Sequence, residues 1–230
     1  MARWKPHFEQ HVPVSAAQRI TLSFDNGPDP DVTPQILDVL RRRGVTAHFF
    51  VLGKQLATPI GQRLVARARD EGHLIGNHSY SHEVPLGDDP RPDAAEREIA
   101  ATDALLAALV TGPKRFRPFG GSGVLGPHLL SGRAVDYLVA HGYSCVLWNC
   151  VPRDWSEPDA WAARALVDCA TRAHTLLVLH DIPNACLSLL EPFLDAVQSH
   201  GMQLVAELPS ECIPIVDGRI VADLGELVRM

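Results

Sequence analysis

The chain is poor in lysine. Only Lys5, Lys54 and Lys114 of its 21 Lys and Arg residues are lysines, against 27 Asp and Glu, for a formal net charge of −6. No dense basic patch results, which excludes nucleic acid as a partner. The one basic run, Arg41-Arg42-Arg43, follows the apolar spacing of Ile36, Leu37, Val39 and Leu40. It reads as the solvated C-terminal end of a helix, where cations are favoured. Cysteine is scarce too. Cys145, Cys150, Cys169, Cys186 and Cys212 are odd in number and form no Cys-x-x-Cys pair, which argues for core thiols in a reducing compartment and against a disulfide framework or a thiolate zinc site. No stretch of about 18 apolar residues occurs, and Met1 to Pro6 lacks an apolar run of leader length. A cytoplasmic protein with no membrane partner is expected.

What the chain does have is room for one large core: 230 residues, 46% of them hydrophobic, with no linker that would divide them. Short apolar runs alternate with helix-like segments. Ile20–Phe24, Ala47–Leu52 and Leu74–Asn77 read as strands, with helices over 34–43 and 61–71 between them. After a helix over 91–110, strands are expected at 116–117, 145–149, 175–179 and 203–205, separated by helices over 129–140, 158–171 and 187–200. About seven strand-helix units in one domain predict an α/β fold, a closed or nearly closed barrel.

Polar motifs sit where these strands end: Asp25-Asn26-Gly27-Pro28, His78 to His82, Arg117-Pro118, Asp154-Trp155 and Leu179-His180-Asp181. In such a barrel the C-terminal strand ends converge on one face, so all five motifs are expected to line one pocket. His78 and His82 are four apart, a spacing that on a helical turn puts both imidazoles beside one cation. A strand-end carboxylate or carboxamide adds a third ligand, and three protein ligands with an open position is the arrangement of catalytic zinc. Arg117 is placed to grip a carboxylate through two parallel hydrogen bonds. Asp154 is placed to orient an imidazole, and His180 is a strand-end residue facing the same site.

The order and content of these motifs resemble the polysaccharide deacetylase family, carbohydrate esterase family 4, also called the NodB-homology domain. Ser23 to Gly27 is similar to its Thr-Phe-Asp-Asp-Gly, and His78 to His82 to its His-Ser/Thr-x-x-His. Arg117 to Gly120 resembles its Arg-Pro-Pro-Tyr segment, Asp154-Trp155 its Asp-Trp loop, Leu177 to His180 its Leu-x-His, and Ala47 to Gly53 its second strand. The match spans roughly residues 18 to 208. It implies a distorted (β/α)7-type, NodB-like barrel over 18–208, with an N-terminal extension over 1–17 and a C-terminal segment over 209–230 packed on it.

The same resemblance implies metal-assisted hydrolysis of an N-acetylated sugar or related small amide. Asp25 would be the general base, oriented by Arg117, and His180 the general acid, with its tautomer set by Asp154. Asn26, His78 and His82 would hold a divalent metal, zinc before cobalt or nickel. Phe119, Trp155, Leu177 and Leu179 would contact substrate, with Leu177 or Leu179 flooring a small pocket for the acetyl methyl.

The chain departs from the family pattern at Asn26, where the family carries an anionic metal ligand. A neutral carboxamide leaves the full charge on the cation, so weak metal binding is expected, and Asn26-Gly27 is a sequence prone to deamidation. Arg117-Pro118-Phe119-Gly120-Gly121 lacks the second Pro and the Tyr, which predicts a more open substrate loop. His48 stands where the family has Thr, either as a polar group of the pocket or as packing. Two other readings stand beside this one: a metal-poor or metal-independent relative cleaving a non-sugar C–N bond, like allantoinase-type members, which Asn26 favours and the intact His78/His82 pair disfavours, and a catalytically silent binding module.

Overall fold

A computed structural model describes residues 18–229, so the expected N-terminal extension lies outside the described residues. Strand β1 (Arg19–Asp25) sets the architecture through its alternation. Ile20, Leu22 and Phe24 join a large apolar cluster with Ile36, Leu37, Trp161 and Phe193. Thr21, Ser23 and Asp25, on the other face of the pleat, are buried polar residues. One face of the strand therefore carries the helices, and the other carries chemistry.

The chain continues through α1 (Thr33–Arg43), β2 (His48–Val51), α2 (Gly53–Leu56), α3 (Pro59–Asp70) and β3 (Leu74–Asn77). A π turn, Glu96–Ala100, leads into α4 (Ala101–Leu106), followed by β4 (Lys114–Phe116), β5 (Leu130–Ser131), α5 (Gly132–Ala140) and β6 (Tyr143–Cys145). Then come α6 (Trp161–Thr171), β7 (His174–His180), α7 (Leu187–Ser199) and β8 (Gln203–Leu204). Strands β9 (Ile215–Val216), β10 (Arg219–Ile220) and β11 (Val228–Arg229) follow. The main sheet runs β10-β9-β6-β4-β3-β2-β1-β7, with β8 also on β1. β1, β2, β3, β4, β6, β7 and β8 pair in parallel, and β9 joins β6 antiparallel. This is the curled α/β sheet that the alternating pattern predicts.

The ring is drawn together where β7 meets the segment that continues β6. The expected strand over 145–149 leaves its ladder after Cys145 to make this crossing. Leu147 donates its N–H to Cys212 (2.8 Å), and Val178 donates to Cys150 (3.0 Å). Between them, the Asn149 side chain takes the place of a ladder residue: its Nδ2 donates to the His174 carbonyl at 3.0 Å and its Oδ1 accepts from Leu176 N at 2.7 Å.

The other departures from expectation are local. The helix expected over 129–140 begins only at Gly132, because Leu130 and Ser131 pair with β11 and Ser131 caps α5 through Ala134 N. The arginine run ends α1 as expected, but Arg42 and Arg43 pair with Glu191 and Asp195 of α7 at 2.8 and 2.7 Å. Among the described residues no helix is long and apolar enough to cross a membrane.

Asn149→Ala strands the N–H of Leu176 at the barrel closure. It is expected to destabilise the fold by about 1–3 kcal/mol, read as a lower urea midpoint with little change in slope.

Candidate active site

The interior ends of β1, β3, β4 and β7 open into a cavity of about 200 Å³ whose lining includes Asp25, Asn26, His78, His82, Phe119, Trp155 and His180. Arg117 and Asp154 lie one layer below, fully buried.

Arg117 follows β4 and points into the barrel, where its guanidinium stacks on the Phe50 ring, 4.0 Å from the centroid. Its Nη1 donates to Asp25 Oδ1 at 2.7 Å and to Ser23 Oγ at 2.8 Å, while Nε and Nη2 reach the Val146 and Leu147 carbonyls at 3.3 Å. The two parallel bonds expected of this pair do not form. The guanidinium spreads its donors over four acceptors because it is also the polar filling of the barrel, and this leaves Asp25 Oδ2 free at the cavity, 3.7 Å from His78 Nε2.

His78 and His82 sit on a loop after β3, not on a helical turn. Ser79 and His82 adopt left-handed backbone (φ 69 and 57), and so does Asn26 (φ 78). For Asn this conformation is tolerated; for Ser and His it costs roughly 1–2 kcal/mol each. Glu98, on the π turn and buried, holds the loop in that shape: its Oε2 accepts from the backbone N–H groups of Tyr80 (3.0 Å) and Ser81 (2.8 Å), and its Oε1 accepts from Ser81 Oγ (2.7 Å). The two imidazole rings come within 5.0 Å, and His82 packs on Phe119 at 3.7 Å.

His78 Nδ1 donates to the Arg117 carbonyl at 2.8 Å, so its Nε2 carries a bare lone pair. Burial lowers the pKa of His78. His82 is driven down to about 2 by burial and by the neighbouring His78, His180 and Lys54. Both shifts favour the neutral rings, the state a metal needs. Asn26 Oδ1 is buried without a hydrogen-bond partner. Among the described residues no three His, Cys, Asp or Glu side chains cluster as a metal site; the third donor would have to be the Asn26 amide oxygen. Two neutral imidazoles and an orphaned carbonyl oxygen fit a divalent cation.

Across the cavity, His180 ends β7. Asp154 Oδ1 accepts from its Nδ1 and Oδ2 from its backbone N–H, both at 2.8 Å, so Nε2 is the nitrogen that faces the cavity. Burial pulls the His180 pKa down, but the hydrogen bond and charge of Asp154, with Asp25 and Asp181 behind, outweigh it and the net shift is upward. The Trp155 ring stands edge-on to the imidazole at 4.6 Å.

Leu177 and Leu179 do not line the cavity. The period-2 alternation of β7 turns them to the helices, where they join the large core cluster, and Val178 and Ile182 face the site in their place. His48 also stays out of it. Its Nε2 donates to the Ala206 carbonyl at 2.8 Å, and burial pushes its pKa down to about 4, so it is a neutral packing residue of the barrel interior. The glycine-rich loop is not open as expected. Trp148 fills it, donating Nε1–H to the Gly123 carbonyl at 2.7 Å, and a Cβ on Gly120 would fall 2.4 Å from its ring.

Sequence reasoning missed Glu98 and Trp148, and it placed Ser23 and Asp181 inside its motifs without giving either a role. Asp181 Oδ1 accepts from Gly27 N at 2.9 Å and Oδ2 from Thr33 Oγ1 at 2.6 Å. A Cβ at Gly27 would meet that carboxylate at 1.9 Å, so only glycine lets the turn after Asn26 close on it. Burial raises Asp181 to about 7, against the opposing hydrogen bonds from Thr33 and Gly27.

The polysaccharide deacetylase model matches residues 14–146, more than half of the chain. The chain belongs to the polysaccharide deacetylase family. It is 32% identical over 203 residues to a chitooligosaccharide deacetylase of Rhizobium leguminosarum bv. trifolii, an alignment covering 81% of this chain and 89% of that one. It is 30% identical over 190 residues to the peptidoglycan-N-acetylglucosamine deacetylase PgdA of Listeria monocytogenes, where 82% of this chain spans only 38% of the relative. The fold matches a family 4 acetyl xylan esterase from Clostridium thermocellum, solved with a cobalt ion, at a TM-score of 0.67 and 28% identity, covering 81% of this chain and 87% of that one.

Two outcomes test this geometry. A folded-state pKa raised above the ordinary histidine value gives stability that is complete below about pH 6.5 and fades as pH rises through the raised value. The stability lost in Asp154→Asn, measured by urea midpoints, is therefore expected to be larger at acid than at alkaline pH. Asp181→Ala frees the Gly27 nitrogen, whose attack on the Asn26 amide starts deamidation. Peptide mapping is expected to find the mass gain of amide-to-acid conversion accumulating several-fold faster than in the parent.

Proposed function

We propose that the chain is a metal-assisted amide hydrolase that removes an acetyl group from an N-acetylated sugar. The observation that carries this reading is the opposition, across one cavity, of a free carboxylate oxygen, Asp25 Oδ2, and a half-buried imidazole, His180, backed by Asp154. A group that takes a proton and a group that gives one face each other over the donors Asn26, His78 and His82.

When bound there, a divalent cation, zinc first among the candidates, polarises the amide carbonyl and makes a water more acidic. Asp25 takes the proton of the attacking water on Oδ2, because Oδ1 is committed to Arg117. His180, with its Nδ1 proton fixed on Asp154 and its pKa raised, delivers a proton from Nε2 to the leaving nitrogen as the C–N bond breaks. Trp155, Val178 and Ile182 give the acetyl methyl an apolar surface beside that proton.

Asn26 distinguishes this chain chemically. As a neutral donor it binds a cation more weakly than a carboxylate does, while its amide oxygen still has no other partner. The metal is accordingly expected to be exchangeable and removable by chelators. The opposed Asp25 and His180 weigh against a silent binding module.

The test is acetate release from N-acetylglucosamine oligomers with added zinc or cobalt. Activity is expected only with metal and is expected to fall about 10²–10⁴-fold in Asp25→Asn. Asn26→Asp is expected to tighten zinc by about tenfold or more. Absence of acetate release under every metal condition overturns the reading.

A further inference from the structure

Beside the active-site cavity lies a second hollow of about 270 Å³, lined by Ser122, Gly123, Val124, Leu125, Trp148, Asn149, Val151 and Arg153. The two share Gly123, Trp148 and Val151 in their linings, so the second hollow adjoins the first and lies where the neighbouring unit of an extended ligand would sit. The shared lining is closely packed. Trp148 is anchored to the Gly123 carbonyl, and a Cβ at Gly123 would press on Val151 at 2.8 Å. Val124 and Leu125 are exposed large apolar residues on this rim, the kind of surface on which the C–H faces of a pyranose rest.

The charge of the hollow is one-sided. No carboxylate lines it, and the one acid lining the first cavity, Asp25, is neutralised by Arg117. Arg153 is the single formal charge in the second hollow. Among the described residues no carboxylate pairs with its guanidinium, whereas Arg164, nearby on α6, is already paired with Glu157. Arg153 also directly precedes Asp154, the residue that orients His180. It holds a left-handed backbone conformation (φ 60), which costs a side chain of this size roughly 1–2 kcal/mol where glycine or asparagine would fit freely. An exposed, unpaired guanidinium thus opens onto a hollow next to the reacting centre.

We infer that Arg153 is a specificity-determining residue that selects, among N-acetylated glycans, those bearing a carboxylate on the unit lodged in the second hollow. The inference rests on the deacetylase reading and narrows it to an acidic oligosaccharide. The guanidinium offers planar, paired donors that match a carboxylate and give a neutral hydroxymethyl group no equivalent contact. Because the contact lies away from the bond that breaks, it acts on ground-state and transition-state binding alike and appears in KM rather than kcat.

Two glycan tetramers of equal length separate the alternatives: a neutral N-acetylglucosamine tetramer, and one in which N-acetylglucosamine alternates with its lactyl ether, N-acetylmuramic acid. With zinc added, the full chain is expected to turn over the acidic tetramer with a KM roughly fivefold lower, the size an exposed charge-assisted pair supports. In R153A the acidic tetramer is expected to weaken about fivefold more than the neutral one. R153K should keep part of the preference, R153E should reverse it, and high salt should erode it. Calorimetric binding of both tetramers, measured alongside, reads the charge preference even where no acetate is released, so failure of the chemistry and failure of the inference are told apart. Equal affinity of the parent for both tetramers, or equal loss on both in R153A, overturns it.

Discussion

A guanidinium sits inside this barrel, and the site is arranged around it. Arg117 is wholly buried, and its charge is offset by one carboxylate, Asp25. Removing either partner leaves an uncompensated buried charge, a change that costs about 3–5 kcal/mol in typical folds. The remaining donors go to Ser23 and to the carbonyls of Val146 and Leu147, so the ion pair ties β1 to the segment that closes the ring. The same bonds decide which oxygen of Asp25 is free. Stability and the geometry of the cavity therefore draw on one side chain, and the Asp25 carboxylate, the proposed base, cannot be reoriented without disturbing the barrel.

Much of this was legible in the sequence because strands and strand ends carry strong signals. Ile20, Leu22 and Phe24 alternate with Thr21, Ser23 and Asp25, and that alternation already separates a helix-facing side from a polar interior. The five polar motifs fall after successive apolar runs, and parallel topology alone brings them to one face. The alternation was misapplied only in β7: a run of four apolar residues, Leu176 to Leu179, hides its period, and Val178 turns to the cavity instead of its leucine neighbours.

What could not be read from the sequence acts through the backbone. Glu98 and Asp181 are carboxylates whose partners are the N–H groups of Tyr80, Ser81 and Gly27, and a backbone N–H has no residue identity to suggest a partner. Glu98 sits on a π turn far from the His78 loop in sequence, so no spacing announces it. Asp181 had a signal, since a charged residue directly after His180 in an apolar context needs donors, and the glycine at 27 is what permits them. Together the two carboxylates hold the loops that present Asn26 and His82, which explains how residues in left-handed conformations stay in place.

The central proposal is that Asn26, His78 and His82 would together hold a divalent cation beside the free oxygen of Asp25. X-ray absorption at the zinc edge on the zinc-loaded full chain tests it most directly. The account predicts one zinc per chain in a shell of nitrogen and oxygen at about 2.0–2.1 Å, with the outer-shell scattering of two imidazoles. A sulfur shell at about 2.3 Å, or a zinc ion without imidazole scattering, would contradict it.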